Sequence, residues 1–473
     1  MKNILLINAN SEKIPYPVPP LGLCILTGIL EKKYNVRIYD GMFEGAKYLI
    51  DTINEFKPDY IGISMRNIDN LQLTNPVSFV DEILNNYIKP IKETTDVPII
   101  IGGSGFSIYP DYLIDYFDID YGIVGEGEES FLELLNALDN GSDPLCIQRV
   151  VSKNSNKFNI SINQFDMKNL PFSEIDKRID YTNYTKESAY SIQTKRGCGH
   201  KCIYCTYPCI EGANFRVRSP KNIVDEIEEA HNRLGNIIFE FVDSTFNDPA
   251  GHAEEICKEI INRKINVNLR TMGINPVNVT RELFDLMLKA GFKEIDCTPD
   301  SASPKMIKNL KKNFTYEQLV RSAELIKEYD MPTVWFFIFG GPGENEETLK
   351  ESFDFMENCI SKYDVAHMTL GLRVYPDTDL YDISLKEGII SPDDDLIKPF
   401  YYISKELGKE KLDKITKEFS DKNPNCLTAT ESTPSPDMVR IALKVRERNN
   451  IQEPLFRTLL RLRYQMIEKI KLS

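Results

Sequence analysis

The sequence is most informative first in what it lacks. It has no run of about 18 consecutive apolar residues, so no transmembrane helix is predicted. The opening MKNILLINAN turns polar too soon for a secretory signal and reads as a first buried strand. Positive charge is in deficit: 57 Lys and Arg stand against 71 Asp and Glu, a formal net charge of −14. A general nucleic-acid-binding role needs a basic face and is excluded on that ground. There is no internal repeat and no low-complexity tract. The G-x-G-x-x-G fingerprint is missing from the first strand-to-helix turn, where NANSEKIPYPVPPLG stands, which argues against NAD. The first 145 residues contain no histidine; the four are His200, His231, His252 and His367. The expected compartment is the cytoplasm. Paired disulfides are not expected there, and a cysteine cluster points to metal.

What is present divides the chain into four parts. Residues 1–145 alternate short apolar runs (NILLINA, VRIYD, YIGIS, VPIIIGG, YGIVGEG) with helical patterns at 22–34, 77–95 and 128–138. Apolar strands alternating with helices predict a doubly wound, Rossmann-like parallel sheet covered on both faces. Residues 146–188 are polar and irregular and read as a linker. From 189 to about 390 a second strand–helix series predicts a partial (β/α)6 barrel. Its strand candidates are YSIQTKR, NIIFEFVDS, NVNLRTMG, EIDCTPD, PTVWFFIFGG and VAHMTLGLRVYP. Residues 391–473 read as a helical tail. Over 440–473 the tail carries nine Lys and Arg against three Glu. Leu455, Leu459, Leu462, Met466 and Ile470 fall on one face of its last helix. That face predicts docking on the domain, with a membrane-surface or anionic-ligand contact as the alternative.

Glycines follow the strand ends of the first part at Gly102, Gly103 and Gly105, and at Gly125 and Gly127. Two readings stay open: they turn the chain, or they let backbone approach a ligand beyond the carboxyl ends of the strands. Four of the ten cysteines lie in TKRGCGHKCIYCTYPC, at Cys198, Cys202, Cys205 and Cys209. The C-x3-C-x2-C spacing suits three irons of a cubane cluster, and the nearby Arg196, His200 and Lys201 favour thiolate. A zinc knuckle, a closed cluster with Cys209 as fourth ligand, and free structural thiols are the alternatives.

CGHKCIYC at the end of a first barrel strand resembles the signature of radical S-adenosylmethionine (SAM) enzymes. FGGPGENEET (339–348) is similar to the family's fifth-strand adenosine-contacting motif. DSASPKMIKNLKKNFT (300–315) stands where the family has Glu-Ser-Gly-Ser, with Asp300 in place of the Glu. GLRVYPDTDLY (371–381) resembles a segment often Tyr-Pro-Gly-Thr, with Asp377 replacing the Gly. PPLGL (19–23), IGGSGFS (101–107) and GEGEES (125–130) resemble the cobalamin-binding domain that precedes the barrel in the cobalamin-dependent branch. Asp-x-His-x-x-Gly is absent, so no histidine of that domain ligates cobalt.

The resemblance implies a 4Fe–4S cluster on Cys198, Cys202 and Cys205, with Cys209 outside its ligand set. It implies SAM contacts from Tyr204, Arg270, Asp300, Gly340, Gly341 and Gly343, with Asp243 a rim carboxylate of unassigned role. It implies cobalamin near Gly102, Gly103, Gly105, Gly125 and Gly127, with Arg66 below the cobalt. The alternative for Arg66 is a loop ion pair with Asp69, without a ligand. The implied activity is methyl transfer to an unactivated carbon of a small molecule or peptide-derived substrate, with an external electron donor. The alternatives are a non-methylating cyclisation or rearrangement, and a regulatory protein that binds the same groups without turnover.

Overall fold

The computed structural model describes residues 1–13, 16–153, 164–184, 188–429 and 434–472. The N-terminal sheet is built from β1 (Asn3–Asn8), β2 (Asn35–Asp40), β3 (Tyr60–Ser64), β4 (Ile99–Gly102), β5 (Tyr121–Ile123) and β6 (Val150–Ser152), in the order β2-β1-β3-β4-β5-β6. All pairs are parallel except β5–β6. Alternation decides which helix each residue meets. Leu5, Ile7, Ile61, Ile63 and Ile101 face Ile53, Ile88, Leu113 and Phe117 on one side of the sheet. Ile4, Leu6 and Ile100 face Leu23, Leu30, Phe131 and Leu134 on the other. Strands buried on both faces explain why these runs are uniformly apolar.

β6 corrects the boundary drawn from sequence: the first sheet reaches Ser152, beyond residue 145. A three-residue strand carries too little periodicity to be read in a polar context.

The second unit begins with β7 (Tyr190–Ile192), followed by a small antiparallel pair, β8 (Lys195–Arg196) and β9 (Arg216–Val217). Then come β10 (Ile238–Phe241), β11 (Asn268–Ile274), β12 (Phe292–Asp300), β13 (Thr333–Phe339) and β14 (Val365–Leu370). β15 (Leu372–Arg373) and β16 (Tyr401–Tyr402) pair with each other, and β17 (Cys426–Thr428) follows. The large sheet runs β7-β10-β11-β12-β13-β14-β17, parallel throughout. β17 comes from the tail that the sequence marks as helical, and it adds a seventh strand beside β14.

The predicted helices lie between the strands, at Pro220–Leu234, His252–Arg263, Arg281–Ala290, Tyr316–Glu328 and Glu346–Cys359. Thr315 with Gln318, and Asn345 with Thr348, form reciprocal caps that start the last two. Residues such as Trp335, Phe337 and Phe339 pack outward against the helices at Phe353 and Phe355. The alternate positions on each strand therefore face the barrel interior.

The last helix, Leu455–Leu472, docks on the barrel. Leu460 packs with Val365 and Leu427, and Phe456 joins them. Arg457 is buried and pairs with Asp364 at 2.8 Å and Asp330 at 2.9 Å. This corrects the expected face: Met466 is 58% exposed, and the buried stripe runs through Phe456, Arg457 and Leu460. An arginine at the centre of the docked face breaks the apolar pattern on which the sequence reading relied. The side chain of Ile470 lies outside the described residues. Among the described residues no helix is long and apolar enough to cross a membrane.

Candidate active site

The cysteine loop leaves β8 and returns through β9, closing over the carboxyl ends of the barrel strands. Gly197 sits at φ 83°, and a Cβ there would stand 2.1 Å from the carbonyl oxygen of Asn214, so only glycine fits. Cys198 N–H donates to the Gly212 carbonyl at 3.0 Å, and Ile203 N–H donates to the Leu310 carbonyl at 3.3 Å. His200 Nε2 lies 2.9 Å from Asp248 Oδ2 and 3.1 Å from Asn275 Nδ2, which pins the loop to the barrel rim.

Within this loop Cys198, Cys202 and Cys205 act on one another electrostatically, and burial pushes all three thiols up, Cys205 to about 12. Lys312 opposes that rise at Cys202 and Cys205. Three desolvated thiols beside one half-buried ammonium are a donor set that suits an anionic thiolate cluster. Among the described residues no group of three or more His, Cys, Asp and Glu is arranged around one single ion. A cubane cluster takes one thiolate per iron and does not need them to converge on one atom.

Cys209 stands apart. It is exposed on the short helix Tyr207–Glu211, with its Sγ 3.7 Å from the Asp377 carbonyl, and the cluster thiols do not act on it. Asp377 adopts φ 56°, the left-handed conformation that a glycine would take there.

Next to the thiols, Tyr204 OH and Lys312 Nζ both donate to Asp300 Oδ2, the lysine at 2.7 Å. Lys312 also reaches the Thr298 carbonyl at 3.3 Å. Asp300 is buried at φ 63°, and its Oδ1 has no hydrogen-bond partner among the described residues. The carboxylate expected to accept from ribose is therefore present, with one oxygen already engaged. Lys312 went unremarked in the sequence because a lysine in NLKKNF is indistinguishable from a solvated one.

Three glycines of the GGPGE loop sit against protein. A Cβ on Gly341 would come within 2.9 Å of Met306 Cε, and one on Gly343 within 2.8 Å of Asn309 Nδ2; one on Gly340 would meet Leu412 Cδ2 at 3.1 Å. Gly340 (φ 101°) and Gly343 (φ 79°) require glycine by their backbone conformation, and Gly341 packs against the helix Pro304–Asn309. Glu344 folds back on the loop, its Oε2 accepting from the N–H groups of Gly340 and Gly341.

Asp243, the rim carboxylate of unassigned role, is engaged by protein. It accepts from Thr194 N at 2.8 Å, from Thr194 Oγ1 at 2.6 Å and from the buried Lys195 Nζ at 3.3 Å. Its role is to anchor the segment leading into the cysteine loop. Arg270 is also held by protein: Nε donates to Glu240 at 2.7 Å, Nη1 to Glu294 at 3.3 Å, and the guanidinium lies over the Tyr16 ring at 4.3 Å. Only Nη2 is left without a partner.

The N-terminal sheet presents its carboxyl edge to the same space. Tyr16, from the loop after β1, donates to Glu240 of β10 at 2.8 Å. The pairing of Arg66 with Asp69 does not occur. Asp69 Oδ2 accepts from Arg373 Nε at 2.8 Å, and both side chains are buried. Asp69 and Arg66 lie three apart on a loop, and the loop carries them to different surroundings. Arg66 is solvent-accessible and its side chain has no ion pair or hydrogen bond among the described residues. Surrounding protein nonetheless lowers its pKa through desolvation, with Tyr207, Tyr16 and Glu240 as its electrostatic neighbours. A side chain that water reaches but protein surrounds lines an internal space. Tyr207, 43% exposed, behaves likewise and sits between Arg66 and Cys205. An uncommitted cation on a histidine-free sheet edge suits a corrin with no protein base on its metal.

The glycines of that edge serve first to bring loops together. Gly103 (φ 102°) and Gly105 allow the Met65 carbonyl to approach, at 2.6 and 3.0 Å from where a Cβ would be. Gly125 faces Arg149 and the Ile210 carbonyl, and a Cβ on Gly102 or Gly127 would make only ordinary contact with Ile123, at 3.5 and 3.9 Å. Between Gly125 and Gly127, Glu126 accepts from Arg196 at 3.3 Å and Arg216 at 2.6 Å, tying this edge to the cysteine hairpin. The sequence showed Glu126 but not its partners, which lie some 70 and 90 positions away.

A B12 binding domain profile matches residues 7–135, and a Radical SAM superfamily profile matches residues 192–356. The chain belongs to the radical SAM family that carries a B12-binding domain. It is 26% identical over 441 residues to tryptophan 2-C-methyltransferase of Streptomyces laurentii, covering 79% of this chain and 73% of that one. It is 24% identical to cytidylyl-2-hydroxyethylphosphonate methyltransferase of Streptomyces wedmorensis, covering 82% and 86%. Its fold matches the radical SAM methyltransferase TsrM of Kitasatospora setae, solved with tryptophan and a SAM analogue, at a TM-score of 0.81 and 23% identity, over 100% of both chains.

Proposed function

We propose that this chain is a cobalamin-dependent radical SAM methyltransferase acting on an unactivated carbon of a small molecule or peptide-derived substrate. The observation that carries this reading is the shared interior: the three-cysteine loop and the histidine-free sheet edge bearing Arg66 open on one space, joined through Tyr207 and Tyr16. The two relatives compared above are named as methyltransferases, which supports methylation over rearrangement.

When bound, the cluster with SAM supplies a radical able to take hydrogen from carbon, and cobalamin supplies the methyl group. The chain's own residues do the rest. Cys198, Cys202 and Cys205 would hold the cluster through their thiolates. Lys312 offsets thiolate charge and fixes Asp300 and Tyr204 at the edge of the SAM site. Arg66 would hold a cation beside the bound corrinoid, where the domain offers no histidine. The electron enters from an external donor, and the working compartment is the cytoplasm.

The test is anaerobic reconstitution with iron, sulfide, cobalamin and SAM deuterated in its methyl group, followed by incubation with a small-molecule extract. Mass spectrometry should find 5′-deoxyadenosine and a product that carries the labelled methyl group. Cofactor cleavage with no labelled product, in a protein that fails to retain cobalamin, would remove the methylation reading and leave the radical enzyme.

A further inference from the structure

The barrel interior holds a row of charged and polar side chains that is not fully satisfied by protein among the described residues. Ser191 of β7, Glu240 of β10, Arg270 of β11 and Glu294 of β12 stand in one row across adjacent strands. Their sequence neighbours Tyr190, Ile192, Phe239, Phe241, Leu269 and Ile295 pack outward, so by alternation the row faces inward. Arg270 satisfies Glu240 and Glu294 and is itself 7% exposed, with Nη2 unpartnered. Ser191, 1% exposed, has no partner for its Oγ. Two buried polar groups in one row thus lack a protein partner.

One pleat further along β12 stands Asp296. It points to the same interior, is partly accessible, and makes no hydrogen bond or ion pair among the described residues. Burial together with Glu294 and Glu240 pushes its carboxyl well above the usual range, and Arg270 opposes the shift only in part. Arg270 is the one cation that acts on Asp296, and it already pairs with Glu240 and Glu294; Arg66, an electrostatic neighbour of Glu240, does not act on Asp296. Around them the surface is apolar: Met272, two residues beyond Arg270 on β11, is 41% exposed, and Phe336 of β13 is partly accessible. His367 of β14 lies edge-on to Phe336, 5.4 Å between centroids, and burial lowers its pKa to about 4, so it adds no cation.

We propose that Asp296 is the recognition group for a cationic nitrogen on the substrate, whose apolar body lies against Phe336 and Met272. The argument is one of compensation. An unpaired carboxylate inside a protein is costly, and here Asp296 has no ion pair among the described residues, because Arg270 is paired with the two neighbouring glutamates and offsets Asp296 only in part. A ligand ammonium or guanidinium supplies the missing charge and ionises Asp296 as it binds. This inference rests on the reading of the barrel interior as the substrate cavity, and it names the substrate class: amine-bearing, with an apolar or aromatic portion.

The test uses the reconstituted holoprotein and three probes of similar size: phenethylamine, 2-phenylethanol and 3-phenylpropionate. Dissociation constants come from saturation-transfer NMR, and iron and cobalamin contents are measured on the same samples. A charge-assisted pair predicts that phenethylamine binds about tenfold or more tighter than either of the others. In Asp296→Asn that preference should fall to about twofold or less, with iron and cobalamin contents unchanged. Equal affinities in the wild type, a preference for the carboxylate, or an amine preference that survives in Asp296→Asn each overturn the assignment. The wild-type ratio decides the matter even where the variant does not fold. Loss of cobalamin or cluster from the wild type would strike the proposed function, whereas the probe ratio strikes only the substrate class.

Discussion

Asp69 of the N-terminal domain and Arg373 of the barrel form a buried ion pair, Oδ2 to Nε at 2.8 Å. Arg373 completes its donors on the carbonyls of Val374 and Leu396, at 2.6 and 2.7 Å. Asp69 Oδ1 accepts from Leu71 N–H at 2.9 Å. A buried charge whose partner is removed has neither water nor a counter-ion. Arg373→Ala should therefore lower stability by about 3–5 kcal/mol, as read by anaerobic denaturant unfolding. The double variant Asp69→Asn, Arg373→Met should recover part of that loss, since it strands no charge. Additive losses in the double variant would show that the pair does not couple the two side chains.

Because Asp69 is taken, Arg66 is left uncommitted, and this bears on cobalamin. The reconstituted protein should show a base-off cob(II)alamin paramagnetic-resonance spectrum without nitrogen superhyperfine splitting, since the domain holds no histidine. Arg66→Ala should alter that spectrum and the absorption of the bound corrinoid while leaving iron content unchanged. An unchanged spectrum would place Arg66 away from the metal.

Much of this arrangement is legible in the sequence, and the part that is not has a common cause. The barrel strands and the helices between them are visible because each strand is a bounded apolar run and each helix has the 3.6 period. The cysteine loop is visible because its spacing is local. β17 and β6 are hidden because three residues carry no period, and the docked face of the last helix is hidden because Arg457 stands at its centre. Partner identity is the larger gap. Arg66 and Asp69 are neighbours in sequence, but the partner of Asp69 is 304 positions away. Asp243, Glu126 and Lys312 look like ordinary charged residues until the strands bring Thr194, Arg216 and Asp300 beside them.

Cys209 provides a direct test of the ligand set. Its Sγ faces a carbonyl oxygen on an exposed helix, and the three other thiols form a separate group. Cys209→Ala should keep iron and sulfide contents, and SAM cleavage, near wild type. The variant with Cys198, Cys202 and Cys205 all changed to Ala should lose the reduced-cluster signal and cleavage together. Loss of iron from Cys209→Ala alone would restore the four-thiolate reading.

Glu344 provides a pH test that needs no cofactor. It is fully buried, Oε1 has no partner, and Oε2 accepts only from the N–H groups of Gly340 and Gly341. Burial outweighs those two bonds and raises its pKa from 4.5 to about 7. The folded chain therefore holds a proton on Glu344 that the unfolded chain has already released. Stability is greatest below the unfolded value, falls as pH rises toward about 7, and levels off above it. At about 1.4 kcal/mol per unit, the full loss attributable to this group is about 3 kcal/mol. Glu344→Gln keeps an acceptor for the two glycines and cannot ionise, so it should be nearly insensitive over this range at that site. The measurement is the difference in unfolding free energy between wild type and Glu344→Gln, on metal-free protein, at about pH 5 and about pH 8. Taking the difference cancels titrations common to both chains. The variant should gain on the wild type as pH rises, and a difference that stays constant would show that Glu344 is ionised throughout and that its burial is compensated by groups other than the two glycine amides.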